Sequence, residues 1–123
     1  MTPDEASDRL NTILAHLWMI RTFLKHAEEM QEDAELMEVP RMLFDAIRAA
    51  EPARERGDTA EFLHRLRGKL PKIRRVAELF TREHKRVSDH TNYQMAATSL
   101  NGCVRQMEEI FAALKNHPPP KPT

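Results

Sequence analysis

Histidine and carboxylate side chains carry most of the chemical potential of this sequence, and their spacing suggests one possible cluster. Four residues beyond Phe80, an apolar stripe reaches His84; three residues before Tyr93, the next stripe reaches back to His90. Both would then face the core beside a turn between two predicted helices. An up-down-up-down helix order brings His26, Glu29, Gln31 and Asp33 to the same end of the molecule. Neutral imidazoles and carboxylates are ligands for zinc and other transition metals. His84 and His90, with His26 and Asp33, are therefore candidate metal ligands, against the plainer reading of a polar, water-open helix end. A dimetal carboxylate centre wants two Glu-x-x-His units on different helices, and only Glu61-Phe62-Leu63-His64 has that spacing. No cofactor is expected.

A second grouping is His64-Arg65-Leu66-Arg67-Gly68. It resembles the core of the histidine phosphotransfer (HPt) domain, in which His is followed by any residue, Leu, Lys or Arg, and Gly. The resemblance implies a helical bundle in which His64 accepts a phosphoryl group. It further implies that Arg67 neutralises that group and that Gly68 leaves room for a receiver domain. The sequence departs from the pattern after the glycine, where Lys69, Leu70 and Pro71 replace the usual small residues. The alternative is a solvated His64 on a helix that Gly68 and Pro71 merely bend.

Other catalytic templates are missing. The sequence has no Gly-x-Ser-x-Gly, no phosphate-cradling glycine loop and no paired cysteines. Arg21 to His26 and Arg9 to His16 match the Arg-to-His spacing of HEPN ribonucleases, but no more often than composition alone supplies. Cys103 lies beside Leu100 and Val104, as a small core hydrophobe would. Trp18 neighbours the apolar stripe of its helix without lying on it, so it either packs in a groove or forms part of a contact surface.

Charge is balanced in sum and segregated in sequence. The 123 residues carry 19 basic and 19 acidic side chains, which argues against a polyanionic partner for the molecule as a whole. Yet Glu28, Glu29, Glu32, Asp33, Glu35 and Glu38 form an acidic stretch, Glu28–Glu38, that contains no base. Conversely, Arg65, Arg67, Lys69, Lys72, Arg74 and Arg75 cluster with no acid between them. The basic run has no aromatic residue interleaved for base stacking. Its expected partner is another protein or a second copy rather than nucleic acid, and the acidic stretch is the other candidate surface.

The elements that must position these residues are helices. Only three glycines occur, and β-branched residues are sparse, which leaves little to build strands or hairpins. Four apolar stripes recur in steps of three and four. They are Leu10–Ile13–Leu17–Ile20–Leu24–Ala27, Leu36–Val39–Leu43–Ile47–Ala50, Leu63–Leu66–Leu70–Ile73–Ala77–Phe80 and Tyr93–Ala97–Leu100–Val104–Met107–Phe111–Leu114. Thr2 before Pro3 reads as one N-cap, Asp58 after Gly57 as another, and Ser88 as a third. Pro40 either begins the second helix or kinks it. The third stripe keeps phase across Gly68 and Pro71, which predicts one bent helix there.

Short connections make consecutive helices antiparallel, so the expected fold is all-α, an up-down-up-down four-helix bundle. It forms one domain over residues 1–116, with a disordered Pro-rich tail over 117–123. No segment reads as a membrane span or a secretory signal, and the single cysteine fits a reducing cytoplasm. The functional expectation is a soluble protein-interaction module with no catalytic turnover evident, and the alternative is an HPt-like phosphocarrier.

Overall fold

The first helix starts where local chemistry directs it. Thr2 Oγ1 accepts the Glu5 backbone N–H at 3.1 Å, and Pro3, whose missing N–H is no loss in a first turn, opens α1 (Pro3–His26). The computed structural model describes residues 1–114, and every regular element among them is helical. The expected tail and the domain boundary at residue 116 lie outside the described residues. After α1 come a single turn, α2 (Glu28–Gln31), and three long helices: α3 (Glu38–Glu55), α4 (Thr59–Glu83) and α5 (Thr91–Leu114). A 3-10 turn, His84–Arg86, extends α4.

The junction between α3 and α4 is tight because each of its residues has a defined role. Gly57 has φ +77°, a left-handed conformation that costs a residue bearing a Cβ about 1–2 kcal/mol. Around it the Asp58 N–H reaches Ala53 O at 2.8 Å and the Gly57 N–H reaches Arg54 O at 3.0 Å, closing the end of α3. Asp58 then caps α4 by accepting the Glu61 N–H at 3.1 Å. Pro40 is the third residue of α3 rather than its first, a position where no intrahelical donor is needed. Gly68 and Pro71 do not divide α4, which runs unbroken through 25 residues.

The start of α5 differs from the sequence expectation. Ser88 lies before the helix, and its Oγ accepts the His90 N–H at 3.0 Å. His90, immediately before Thr91, accepts the Asn92 N–H on Nδ1 at 3.0 Å and so serves the first turn itself. Histidine is not among the preferred capping residues, so composition favoured Ser88.

The stripes are the core. α1 packs on α3 and α5, α4 packs on the same two helices, and α1 meets α4 across the middle. All members of the second, third and fourth stripes are buried; so is the first stripe except Ala27, which is half-buried. Complete burial of a leucine or phenylalanine side chain stabilises by about 1.5–3 kcal/mol relative to exposure, and Leu10, Leu17, Leu43, Phe62, Leu66 and Phe80 are fully enclosed. No helix among the described residues is long and apolar enough to cross a membrane.

Candidate functional site

Helix geometry puts His64, Gly68, Pro71, Lys72 and Arg75 on one outward row of α4, all exposed, because three- and four-residue steps return to the same face. Leu63, Leu66, Leu70 and Ile73 take the opposite, buried face. A Cβ built on Gly68 would meet nothing within 4 Å, so the helix backbone is open to approach there. The six bases of this stretch divide into two groups. Arg65 is paired with Glu61 one turn earlier, and Arg74 reaches Glu108 of α5 at 3.1 Å. Arg67, Lys69, Lys72 and Arg75 make no ion pair among the described residues, although Arg67 lies 5.1 Å from the Phe111 ring centroid.

The histidines and carboxylates proposed as metal ligands are drawn to other partners. His84 is buried against Phe80, with ring centroids 5.4 Å apart, as its stripe position predicts. His90 is exposed rather than core-facing, because α5 begins after it and the fourth stripe's register does not extend back to it. His26 is exposed, its Nδ1 2.9 Å from Thr22 O. Asp33 receives Arg86 Nε at 2.8 Å, Arg86 Nη2 at 3.0 Å and the Leu36 N–H at 3.0 Å. Among the described residues no group of three or more His, Cys, Asp or Glu is placed to hold a metal ion.

The acidic stretch is largely engaged within the chain. Arg86 also meets Glu35 at 2.9 Å and Glu83 at 3.2 Å, Glu38 pairs with Arg41, and the Tyr93 hydroxyl donates to Glu29 Oε2 at 2.7 Å. Arg86 beside Asp33 holds that carboxyl below the usual carboxylate range, helped by the Leu36 N–H. The Tyr93 hydroxyl does the same for Glu29. Burial first, and the bond to Glu29 second, push the Tyr93 phenol up to about 12. Burial also raises the Cys103 thiol, which therefore favours its unreactive protonated form.

One arrangement went unread in the sequence. Trp18 of α1 and Phe44 of α3 lie 6.0 Å apart between centroids. The Arg21 guanidinium stands 4.6 Å from one ring and 4.9 Å from the other, and Arg48 is 5.3 Å from both. Beside this stack an open groove of about 630 Å³ runs between α1 and α3, floored by Leu14, Trp18 and Ile47 and edged by Met19. Trp18 neighbours its stripe in the sequence; Phe44 and the two arginines carry no comparable signal, since their meeting depends on how α1 and α3 pack.

No family model matches the chain, and neither a curated protein nor a solved structure matches it.

Proposed function

We propose that this chain is a small helical interaction module, without catalytic turnover, that docks an acidic segment of another protein on the outward row of α4. In this reading the four long helices form an up-down-up-down four-helix bundle working in the cytoplasm. The antiparallel order is supported by contacts between helices: Asp8 near the start of α1 meets Arg54 at the end of α3, and partners run in opposite directions along α4 and α5, Thr81 with Asn101 and Arg74 with Glu108. The observation that carries the function is the exposed row of Gly68, Lys72 and Arg75, whose two bases make no ion pair among the described residues, flanked on its two sides by Arg67 and Lys69, which are equally without an ion pair there. Uncompensated cations on one face attract and orient an anionic partner, and a side-chain-free step in the helix lets its backbone come close.

A polyglutamate peptide tests this directly, by fluorescence anisotropy at low and at physiological salt. Binding should weaken as salt screens the contact, and Lys69→Glu/Lys72→Glu/Arg75→Glu should lose at least about tenfold in affinity. Failure of the wild-type chain to bind at low salt, or tighter binding of single-stranded RNA than of the peptide, overturns the assignment.

A second reading, the HPt-like phosphocarrier, draws support from the same row: His64 is exposed and Gly68 leaves space one turn away. A lone pair on the imidazole would attack phosphorus of an acyl phosphate, forming an N–P bond while the carboxylate oxygen leaves with its electron pair. Arg67, stacked on Phe111, would have to swing away from that ring to neutralise the product. Incubation with acetyl phosphate should then give an acid-labile phosphate that His64→Gln abolishes; no such phosphate on the wild-type chain removes this reading.

A further inference from the structure

Where α1 ends and α3 begins, a cavity of about 290 Å³ opens between the two helices. Arg21 and Lys25 line it from α1, and Met37, Pro40, Arg41 and Phe44 line it from the start of α3. Steps of three and four put each set on one face of its helix, so the two sets meet across the gap. Three of the lining residues are cations and none is an acid. Arg41 is paired with Glu38, whereas Arg21 and Lys25 make no ion pair among the described residues. The next acid along α3, Asp45, does not line the cavity. Here α1 presents the negative end of its dipole and α3 the positive end. The two offset each other, and the side chains decide the sign of the site.

Aromatic rings, rather than an acid, hold Arg21 in place. Its guanidinium lies 4.6 Å from the Trp18 ring centroid and 4.9 Å from that of Phe44. A guanidinium stacked in this way keeps its edge N–H groups for a bidentate oxyanion and has little side-chain freedom left to lose on binding. Arg48 touches the same rings but is not equivalent, because Glu51 takes it at 2.9 Å and it does not line the cavity. The two uncompensated cations match a phosphate monoester, which carries about −1.5 to −2 at neutral pH. A carboxylate would leave one of them unanswered. Met37, Pro40 and Phe44 form an apolar wall on which the organic part of the ester can pack. Ligand cavities span roughly 300–1,000 Å³, so this one is sized for a small molecule.

We infer that the cavity between the end of α1 and the start of α3 binds a small phosphate monoester with an apolar body. Arg21 grips the phosphate, Lys25 adds the second charge, and Phe44 supports both the arginine and the ligand. Trp18 is the sole tryptophan and lies against Arg21, so its fluorescence reports the site in the full chain. Titration with phenyl phosphate should change that emission saturably, and benzoate and inorganic phosphate should each bind at least about tenfold more weakly. Arg21→Gln should weaken phenyl phosphate at least about tenfold with an unchanged circular dichroism spectrum. Arg21→Lys, which keeps the charge without the planar fork, should weaken it too. Arg48→Gln, on the same stack but outside the cavity, should change affinity less than about twofold. Charge reversal at Lys69, Lys72 and Arg75 on α4 should leave it unchanged. No saturable response of the wild type overturns the proposal, as does a response indifferent to Arg21→Gln or equally lost in Arg48→Gln. Benzoate or inorganic phosphate binding as tightly as phenyl phosphate also overturns it. Tighter binding of a phosphotyrosine peptide than of phenyl phosphate would assign the phosphate to a protein partner and overturn the small-molecule assignment.

Discussion

His84 shows how much one atom can decide. Its side chain is 6% exposed, and Nδ1 has no hydrogen-bond partner among the described residues. An unsatisfied buried polar atom costs roughly 1–3 kcal/mol, and the packing of the ring on Phe80 offsets part of that. Leucine keeps most of the apolar contact and removes the orphan nitrogen. His84→Leu should therefore raise stability by about 1 kcal/mol, read as a higher urea midpoint at neutral pH with an unchanged slope. A lowered midpoint would mean that the imidazole is bonded after all. Removal of a metal ligand would have the same destabilising sign, so a control with chelator present separates the two. The stabilised result also answers why the stripe register found His84 but not a metal centre. The register locates a residue on a face, whereas coordination requires His90, His26 and Asp33 to turn their free atoms towards it, and each has another engagement.

At the scale of the helix, α4 carries two residues that weaken it. Gly68 and Pro71 lie on its exposed face, and Pro71 leaves the Arg67 carbonyl without its helical donor. Glycine in a helix interior costs about 1 kcal/mol relative to alanine, and a Cβ at Gly68 has clear space. Gly68→Ala should accordingly stabilise the chain by up to about 1 kcal/mol in urea unfolding while reducing polyglutamate binding, because it roughens the surface that the partner approaches. Stabilisation with undiminished binding would leave Gly68 without a functional reason. The four long helices were legible because steps of three and four, with caps at Thr2 and Asp58, are local signals. The segment between α1 and α3 was not. Its shape is fixed by Asp33, which turns back to the Leu36 N–H and is gripped by Arg86 from 53 residues further along. The α4 row could likewise be read from spacing. The Arg21–Trp18–Phe44–Arg48 stack could not, since it joins two helices whose relative rotation no local pattern encodes.

For the whole molecule, the ionisable groups that both tie distant segments together and have their titration displaced by the fold gather at one end, where α2 and the following turn meet the 3-10 turn and the start of α5. Their titrations bound the pH range of full stability from both sides. Glu29 and Asp33 are held below the ordinary carboxylate range in the fold. Their contribution is complete above about pH 4–5, where the unfolded carboxyls are already ionised, and is lost as pH falls through the lowered native values. Tyr93 is displaced in the opposite direction, from 10.0 to about 12. Its contribution is complete below the unfolded value near 10 and is lost as pH rises through about 12. Tyr93 is the sole tyrosine, so phenolate absorbance reports this one junction without assignment. The folded chain should titrate near 12 and the same chain in concentrated urea near 10, and Glu29→Gln should lower the folded value by removing the charged acceptor. A folded midpoint close to 10 would mean that the Tyr93–Glu29 bond does not join α5 to α2 in solution, and the alkaline limit of stability would then have to come from elsewhere.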